Sequence, residues 1–178
     1  MSAGIYIHIP FCKSRCSYCD FSTDVYRDND AVERYVSALC SEISNYQLPI
    51  TNYFETLYFG GGTPSLLSAK QLEKILHVVH DKFEFDKNIE FTLEMNPATV
   101  SLEKLKDFRS LGVNRASFGV QTFDDRALKI LARGHDSNDA RQTFDLLREA
   151  KFENVSFDLI GGLPNQSLPD WETNLDKA

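Results

Sequence analysis

The chain carries the stretch Ile5-Tyr-Ile-His-Ile-Pro-Phe-Cys12-Lys-Ser-Arg-Cys16-Ser-Tyr-Cys19. Its first half is a strand pattern that ends at Pro10, and its second half places three thiols within eight residues. Closely spaced cysteines in one loop are typical of iron–sulfur sites, where several sulfurs converge on one cluster. Three sulfurs bind three irons and leave the fourth iron open to a ligand. The stretch therefore predicts a reactive cluster on Cys12, Cys16 and Cys19.

Two other interpretations of the three thiols stay open. Zinc is the first, because His8 lies four residues before Cys12 and would complete a Cys3His set, although structural zinc sites usually draw ligands as two separated pairs. Disulfides are the second, but the sequence starts Met-Ser-Ala-Gly, without the basic and apolar segments of a secretory signal. Cys40 lies apart from the loop, on the apolar face of a predicted helix, and is interpreted as a core residue.

The composition indicates one globular domain, with 178 residues of which 42% are hydrophobic. The net charge of -7 and the pI near 5.1 disfavour nucleic acid as a partner, because phosphate contacts need a basic face. No apolar run approaches the roughly 20 residues that a membrane-spanning helix requires. We expect a cytoplasmic location, where thiols stay reduced.

Short apolar strands alternate with helical patterns along the whole chain. The predicted strands are 5–9, 57–59, 89–94, 113–118 and 155–160. The predicted helices are 31–46, a helix opened by a Ser68/Gln71 capping box, a helix capped by Ser101, 123–131, 138–151, and a last helix that opens at Trp171. This alternation indicates an α/β fold built from parallel βα units, with a sheet that is buried on both faces.

Polar or glycine-rich residues follow each predicted strand, and in parallel βα folds such strand ends meet at one mouth. The second strand runs into Gly60-Gly-Gly-Thr63, whose glycines let a ligand approach the main chain closely. The third strand ends in Glu94, a carboxylate that can accept a hydrogen bond from a ribose hydroxyl. Gln121 and Arg133 follow the fourth strand, and Asp158 lies at the end of the fifth. Each of these residues taken alone also suits a strand cap or a surface charge.

The combination of these motifs resembles the radical S-adenosylmethionine superfamily. The Cys-x3-Cys-x2-Cys spacing after the first strand carries the resemblance. Tyr-Ile-His-Ile-Pro-Phe-Cys, followed by Cys-Asp-Phe, narrows it to the branch of the oxygen-independent coproporphyrinogen III oxidases, or dehydrogenases, and the HemW-type heme chaperones. The resemblance covers nearly all of the chain. It implies a partial barrel of six βα units, and we interpret residues 1–178 as the N-terminal part of that core domain, cut after about five units and lacking the sixth strand.

The resemblance also implies the cofactors, a 4Fe–4S cluster and S-adenosylmethionine, with heme as a further ligand. Several residues match positions that bind the cluster-bound S-adenosylmethionine in this family, namely Tyr6, Gly61, Gly62, Thr63 and Glu94. Tyr18 matches the aromatic residue between the second and third cysteines. Three more match contacts to a second S-adenosylmethionine in the dehydrogenase, namely Gln121, Arg133 and Asp158.

Two functions follow from the resemblance, and both start with one-electron reduction of the cluster and cleavage of S-adenosylmethionine. The first is a heme chaperone that passes heme to a recipient protein. The second is the dehydrogenase, which decarboxylates coproporphyrinogen III. Phe21 favours the chaperone, because the dehydrogenase has a further cysteine there, and so does the absence of room before the first strand for the dehydrogenase's N-terminal extension. The implied partners are heme or another tetrapyrrole, an electron donor such as a flavodoxin or ferredoxin, and a heme-recipient protein.

Overall fold

The computed structural model describes residues 3–47 and 53–178. Its centre is a parallel sheet of five strands, in the spatial order β1 (Gly4–Ile9), β4 (Tyr53–Gly61), β5 (Glu84–Met95), β6 (Arg115–Gln121) and β7 (Asn154–Leu159). Strands adjacent in the sheet follow one another along the chain, so each crossover moves one step in the same direction. The predicted α/β fold with parallel strands is confirmed.

Six helices connect or follow the strands in the described residues: α1 (Asn29–Asn45), α2 (Ala69–Lys82), α3 (Leu102–Ser110), α4 (Asp125–Ile130), α5 (Ser137–Glu149) and α6 (Leu168–Asp176). The predicted capping box is present at α2, where the Ser68 hydroxyl accepts from the Gln71 N–H and the Gln71 side chain accepts from the Ser68 N–H. Ser101 caps α3, also as predicted.

Five elements differ from the sequence-based prediction. β4 and β5 are longer than predicted, because the polar residues around 84–90 pair with β4 although they break the apolar pattern. α6 begins at Leu168 instead of Trp171, since Ser167 and Asp170 form a capping box and Pro169 occupies the first turn, where no N–H is needed. A short parallel pair, β2 (Phe11–Cys12) with β3 (Asp24–Val25), was not predicted.

The core lies on both faces of the sheet. Consecutive residues Phe91, Thr92 and Leu93 on β5 are all buried, which requires cover on each side of the strand. Cys40 is buried on α1 with its thiol directed at the Lys74 carbonyl, so its interpretation as a core residue is confirmed. No helix of the described residues combines the length and apolar character needed to cross a membrane.

Candidate functional site

The carboxyl ends of four strands of the sheet, β4 to β7, line an open cavity of about 200 Å³. Cys12 at the end of β2 and the loop that follows it contribute the three closely spaced thiols, and β4, β5, β6 and β7 each contribute residues near their carboxyl ends. Most of the residues singled out from the sequence line this one cavity: Cys12, Cys16, Tyr18, Cys19, Gly61, Gly62, Glu94, Gln121, Arg133 and Asp158. Residues from positions 12 to 158 thus converge, as expected for the mouth of a parallel βα fold.

The cysteine loop is anchored at its start and in its middle. The Tyr26 N–H donates to the Cys12 carbonyl at 2.7 Å, which ties the loop to β3. Ser17 donates twice to the C-terminal end of α4, through its N–H to Leu131 O and through its hydroxyl to Ile130 O, each at 3.0 Å. All four cysteines are free thiols, so the disulfide interpretation has no support in this structure.

Both ring nitrogens of His8 have hydrogen-bond partners within the protein. Its Nδ1 lies 3.0 Å from the Tyr6 hydroxyl, and its Nε2 lies 2.8 Å from the Ser22 carbonyl oxygen. Within residues 3–47 and 53–178, no three His, Cys, Asp or Glu side chains converge on one ion. Cluster irons occupy separate corners of a cube, so cluster thiolates lie farther apart than the ligands of a single ion. The three soft thiols on one loop suit a cluster better than zinc.

Two polar side chains donate hydrogen bonds to the thiols. The Thr63 hydroxyl lies 3.7 Å from the Cys12 sulfur, and the Arg133 guanidinium lies 3.5 Å from the Cys16 sulfur. Burial raises the pKa of the Cys12 thiol, and although the Thr63 hydrogen bond opposes this, the neighbouring Cys19 and Cys16 add to it. A metal that binds Cys12 therefore has to displace a proton from a partly buried thiol.

The Glu94 carboxylate is fixed at the end of β5 by two donors from β4. Its Oε2 accepts from the Gly61 N–H at 3.1 Å, and its Oε1 accepts from the Tyr58 hydroxyl. Burial, together with the hydrogen bond and the charge of Glu94, raises the pKa of Tyr58, so the phenol is a donor at neutral pH. The carboxylate is thereby presented to the cavity in one orientation.

The glycines of the 60–63 loop are required by the packing of the protein itself. Gly61 has φ of +109°, and a Cβ there would lie 2.6 Å from the His8 ring. A Cβ on Gly62 would lie 2.7 Å from the Phe11 carbonyl oxygen. The sequence predicts that a ligand approaches the main chain of these glycines closely. In the structure, β1 and the start of the cysteine loop make at least part of that close approach. The main chain of these glycines still lines the cavity.

Arg133 is held by several acceptors and retains one free donor. Its guanidinium donates to Asn96 Oδ1 at 2.9 Å and to the Gly119 carbonyl, as well as to Cys16. Its Nε is buried and has no hydrogen-bond partner in the described part of the chain. A buried donor without a partner beside a cavity suits an acceptor group of a ligand.

Gln121 and Asp158 line the cavity from β6 and β7. Gln121 has φ of +70°, in the left-handed region, at an irregularity in the pairing of β6 with β7. Asp158 is exposed on β7, in register with Gly119. The left-handed region is sparsely populated by non-glycine residues, and those that adopt it cluster at functional sites.

Tyr6 and Thr63 do not line the main cavity. Tyr6 is 57% exposed and stacks on Tyr58 with ring centroids 5.9 Å apart, so it flanks the Glu94 side of the site. Thr63 is 1% exposed and lies behind the Cys12 sulfur. Its contact in this structure is with a thiol, whereas the sequence resemblance placed it near S-adenosylmethionine.

Sequence reasoning missed two residues that organise the site. Tyr58, which binds Glu94, lies within the predicted strand 57–59. Asn96, which lies just beyond the predicted strand 89–94, lines the cavity and binds both Thr63 and Arg133. The available signal was position, because Asn96 directly follows Met95, the last residue of a parallel strand.

Comparisons with known proteins agree with this arrangement. The profile described as Radical SAM superfamily matches residues 6–178. The chain is 40% identical to the heme chaperone HemW of Synechocystis sp., over 100% of this chain and 44% of that protein. It is 41% identical to the heme chaperone HemW of Bacillus subtilis, over 97% of this chain and 46% of that protein.

A solved structure also matches nearly the whole chain. It is the coproporphyrinogen III oxidase HemN from Escherichia coli, a radical SAM enzyme, with a TM-score of 0.88 and 30% identity. The match covers 97% of this chain and 40% of that protein. The chain therefore spans less than half the length of the relatives and of the solved structure that it matches.

Proposed function

Because the chain belongs to the Radical SAM superfamily, we propose that Cys12, Cys16 and Cys19 hold a 4Fe–4S cluster and that S-adenosylmethionine binds beside it. Membership of this superfamily implies both groups. The observation that carries the assignment to these residues is the single cavity that the three thiols share with Gly61 and Glu94. Three further observations support it: the thiols are free, both ring nitrogens of His8 have hydrogen-bond partners, and two side chains donate hydrogen bonds to the sulfurs.

The remaining residues of the cavity supply binding and orientation. The N–H groups of Gly61 and Gly62 donate to Glu94 and Ile9, so the main chain of these glycines offers carbonyl oxygens to the amino group of S-adenosylmethionine, and the Glu94 carboxylate accepts from its ribose. Tyr6 and Tyr18 flank these groups. Gln121, Arg133 and Asp158 form the wall proposed for a second S-adenosylmethionine. When bound, the cluster supplies one electron for reductive cleavage of S-adenosylmethionine, while the protein holds the reacting groups in place and limits access of water.

For the whole protein, we propose a heme chaperone that binds heme and transfers it to a recipient protein. The identities of 40% and 41% to heme chaperones support this proposal over the oxidase. Phe21 supports it as well, since it is 67% exposed and lines the cavity. A phenyl ring can neither ligate iron nor exchange a proton, so any role of a cysteine at that place is absent. A flavodoxin or ferredoxin is the proposed electron donor.

The decisive experiment uses the whole protein that contains this chain, with its cluster reconstituted without oxygen. Heme is titrated and followed by its absorbance, and coproporphyrinogen III is incubated with S-adenosylmethionine and a reductant, with products identified by mass spectrometry. We expect heme binding and no decarboxylation. Conversion to protoporphyrinogen IX would establish the oxidase instead. Absence of both heme binding and conversion would point to a different tetrapyrrole chemistry.

A further inference from the structure

A continuous chain of hydrogen bonds connects the sulfurs of Cys12 and Cys16. The Thr63 hydroxyl donates to Cys12, and its oxygen accepts from the Asn96 amide nitrogen at 2.8 Å. On the other side, the Asn96 amide oxygen accepts from Arg133 at 2.9 Å, and Arg133 donates to Cys16. Asn96 is therefore the shared member of two arms that each end on a thiol of the proposed cluster.

The backbone around Asn96 is held firmly. Its carbonyl oxygen accepts from the Thr99 hydroxyl at 2.6 Å and from the Thr99 N–H at 3.2 Å, which closes a turn. Ala98, inside that turn, has φ of +60°, and its N–H donates to the Thr143 hydroxyl on α5 at 3.3 Å. Thr99 also shares a hydrogen bond with Ser65 at 2.7 Å. The amide group of Asn96 is thus carried on a main chain that has little freedom to turn.

The side-chain amide of Asn96 orients the hydrogen-bond donors of both Thr63 and Arg133. The side-chain N–H of Asn96 donates to a lone pair of the Thr63 hydroxyl oxygen. The hydroxyl proton of Thr63 therefore points away from Asn96 and toward the Cys12 sulfur. The Asn96 oxygen, together with the Gly119 carbonyl, accepts from one guanidinium nitrogen of Arg133, and this leaves the other terminal nitrogen for Cys16. A side chain without both a donor and an acceptor cannot orient both arms.

Hydrogen bonds to the sulfurs of an iron–sulfur cluster are among the factors that set its reduction potential. Reduction adds one electron from an external reductant and takes a 4Fe–4S cluster from its 2+ to its 1+ state. The added negative charge is shared by the sulfurs, so donors aimed at them stabilise the reduced state. The positive charge of Arg133 acts in the same direction.

We infer that Asn96 is a positioning residue that raises the reduction potential of the cluster by aiming Thr63 at Cys12 and Arg133 at Cys16. This inference rests on the proposed function, because it requires the cluster to be bound at these thiols. It assigns to Arg133 a role at the cluster in addition to any contact with S-adenosylmethionine. Asn96 itself touches neither thiol by hydrogen bond in the structure and acts through its two partners.

The test is the midpoint potential of the reconstituted cluster, measured by an EPR-monitored titration with dithionite and without S-adenosylmethionine. Asn96→Leu keeps the approximate size of the side chain and removes both hydrogen bonds. We expect the ratio of reduced to oxidised cluster at a fixed potential to fall about tenfold, equivalent to ~59 mV for one electron. Asn138→Leu, an exposed substitution in the first turn of α5, is the matched control and is expected to leave the potential unchanged.

A second variant separates positioning from general damage. Thr63→Val keeps the shape of the side chain and removes the hydroxyl, so it also makes the potential more negative. In the double variant Asn96→Leu/Thr63→Val, the shift of the midpoint potential is smaller than the sum of the two single-variant shifts, because Asn96 acts partly through Thr63. Should Asn96→Leu fail to hold a cluster, the shift of Thr63→Val alone decides whether this arm exists.

The outcomes are distinguishable from failure of the proposed function. Iron content of the unaltered protein tests the cluster itself, and its absence overturns both the function and this inference. Full iron in Asn96→Leu with an unchanged potential overturns the inference alone. Fully additive shifts of Asn96→Leu and Thr63→Val overturn the coupling through Thr63, and an unshifted Thr63→Val does the same.

Discussion

The hydroxyl of Tyr58 on β4 donates a hydrogen bond to the carboxylate of Glu94 on the neighbouring strand β5. The second carboxylate oxygen is taken by the main-chain N–H of Gly61. The two strands thus determine the orientation of Glu94 before any ligand arrives. A preoriented carboxylate costs a ligand less conformational entropy than a mobile one.

Tyr58→Phe is expected to weaken binding of S-adenosylmethionine about tenfold, because one hydrogen bond to a charged group is lost and Glu94 gains freedom. The measurement is titration of the reconstituted protein with S-adenosylmethionine, followed by the EPR spectrum of the reduced cluster. Tyr53→Phe is the matched control, since Tyr53 makes a similar bond to Asp86 at the other end of β4. Equal affinity in Tyr58→Phe and the unaltered protein would show that Glu94 needs no support from Tyr58.

Gly61→Ala is expected to destabilise the fold by more than Gly162→Ala. Both positions have positive φ, so each substitution costs about 1–3 kcal/mol of backbone strain. The Cβ at Gly61 also meets the His8 ring, whereas nothing lies within 4 Å of a Cβ at Gly162. Denaturant unfolding of both variants measures the difference. Equal losses would mean that the His8 ring moves aside freely.

Serine replacement of Cys12, Cys16 or Cys19 is expected to remove most of the iron from the reconstituted protein, because each of these thiols ligates one iron of the proposed cluster. Cys40→Ser is the control and is expected to keep full iron content. It loses about 1–3 kcal/mol of stability instead, because a hydroxyl replaces a buried thiol. Iron analysis and visible absorbance provide the measurement. Loss of iron in Cys40→Ser with retention in Cys16→Ser would contradict the assignment.

His135 is expected to make the fold sensitive to acid. Burial, and to a lesser degree the charge of Arg133, lowers the pKa of His135 to about 4, although the Val120 carbonyl and the carboxylates of Asp139 and Asp136 oppose this. The unfolded chain takes up the proton near pH 6.5, while the folded protein resists it until about pH 4. The stabilisation is therefore fully present above pH 6.5 and is lost as the pH falls toward 4, up to about 3 kcal/mol in total.

The measurement for His135 is the free energy of unfolding at several pH values between 4 and 7. His135→Gln removes the titrating group and is expected to flatten the dependence in this range. His77→Gln, at a side chain that is 79% exposed, serves as the control. An unchanged slope in His135→Gln would assign the acid sensitivity to other groups.

Elements whose causes are local could be predicted from the sequence. The apolar alternation of strand 5–9, the three cysteines at short spacing, and the capping residues Ser68 and Ser101 each act within a few residues of chain. Because parallel strands place their carboxyl ends at one mouth, the convergence of Glu94 with the cysteine loop was also predictable. The prediction that the last helix opens at Trp171 is wrong, because the capping box of Ser167 and Asp170 starts α6 at Leu168.

Which of these side chains touch one another depends on the tertiary structure. The bond from Tyr58 to Glu94 spans 36 positions of sequence, and the bond from Arg133 to Cys16 spans 117. Such contacts depend on the register between neighbouring strands and on the path of the loop that follows each strand. A shift of one residue in a strand would turn each side chain to the other face. Residue type and spacing identify the groups that can hold a cluster, but strand register and the paths of the loops together place Asn96 between the two donors that reach the cluster thiols.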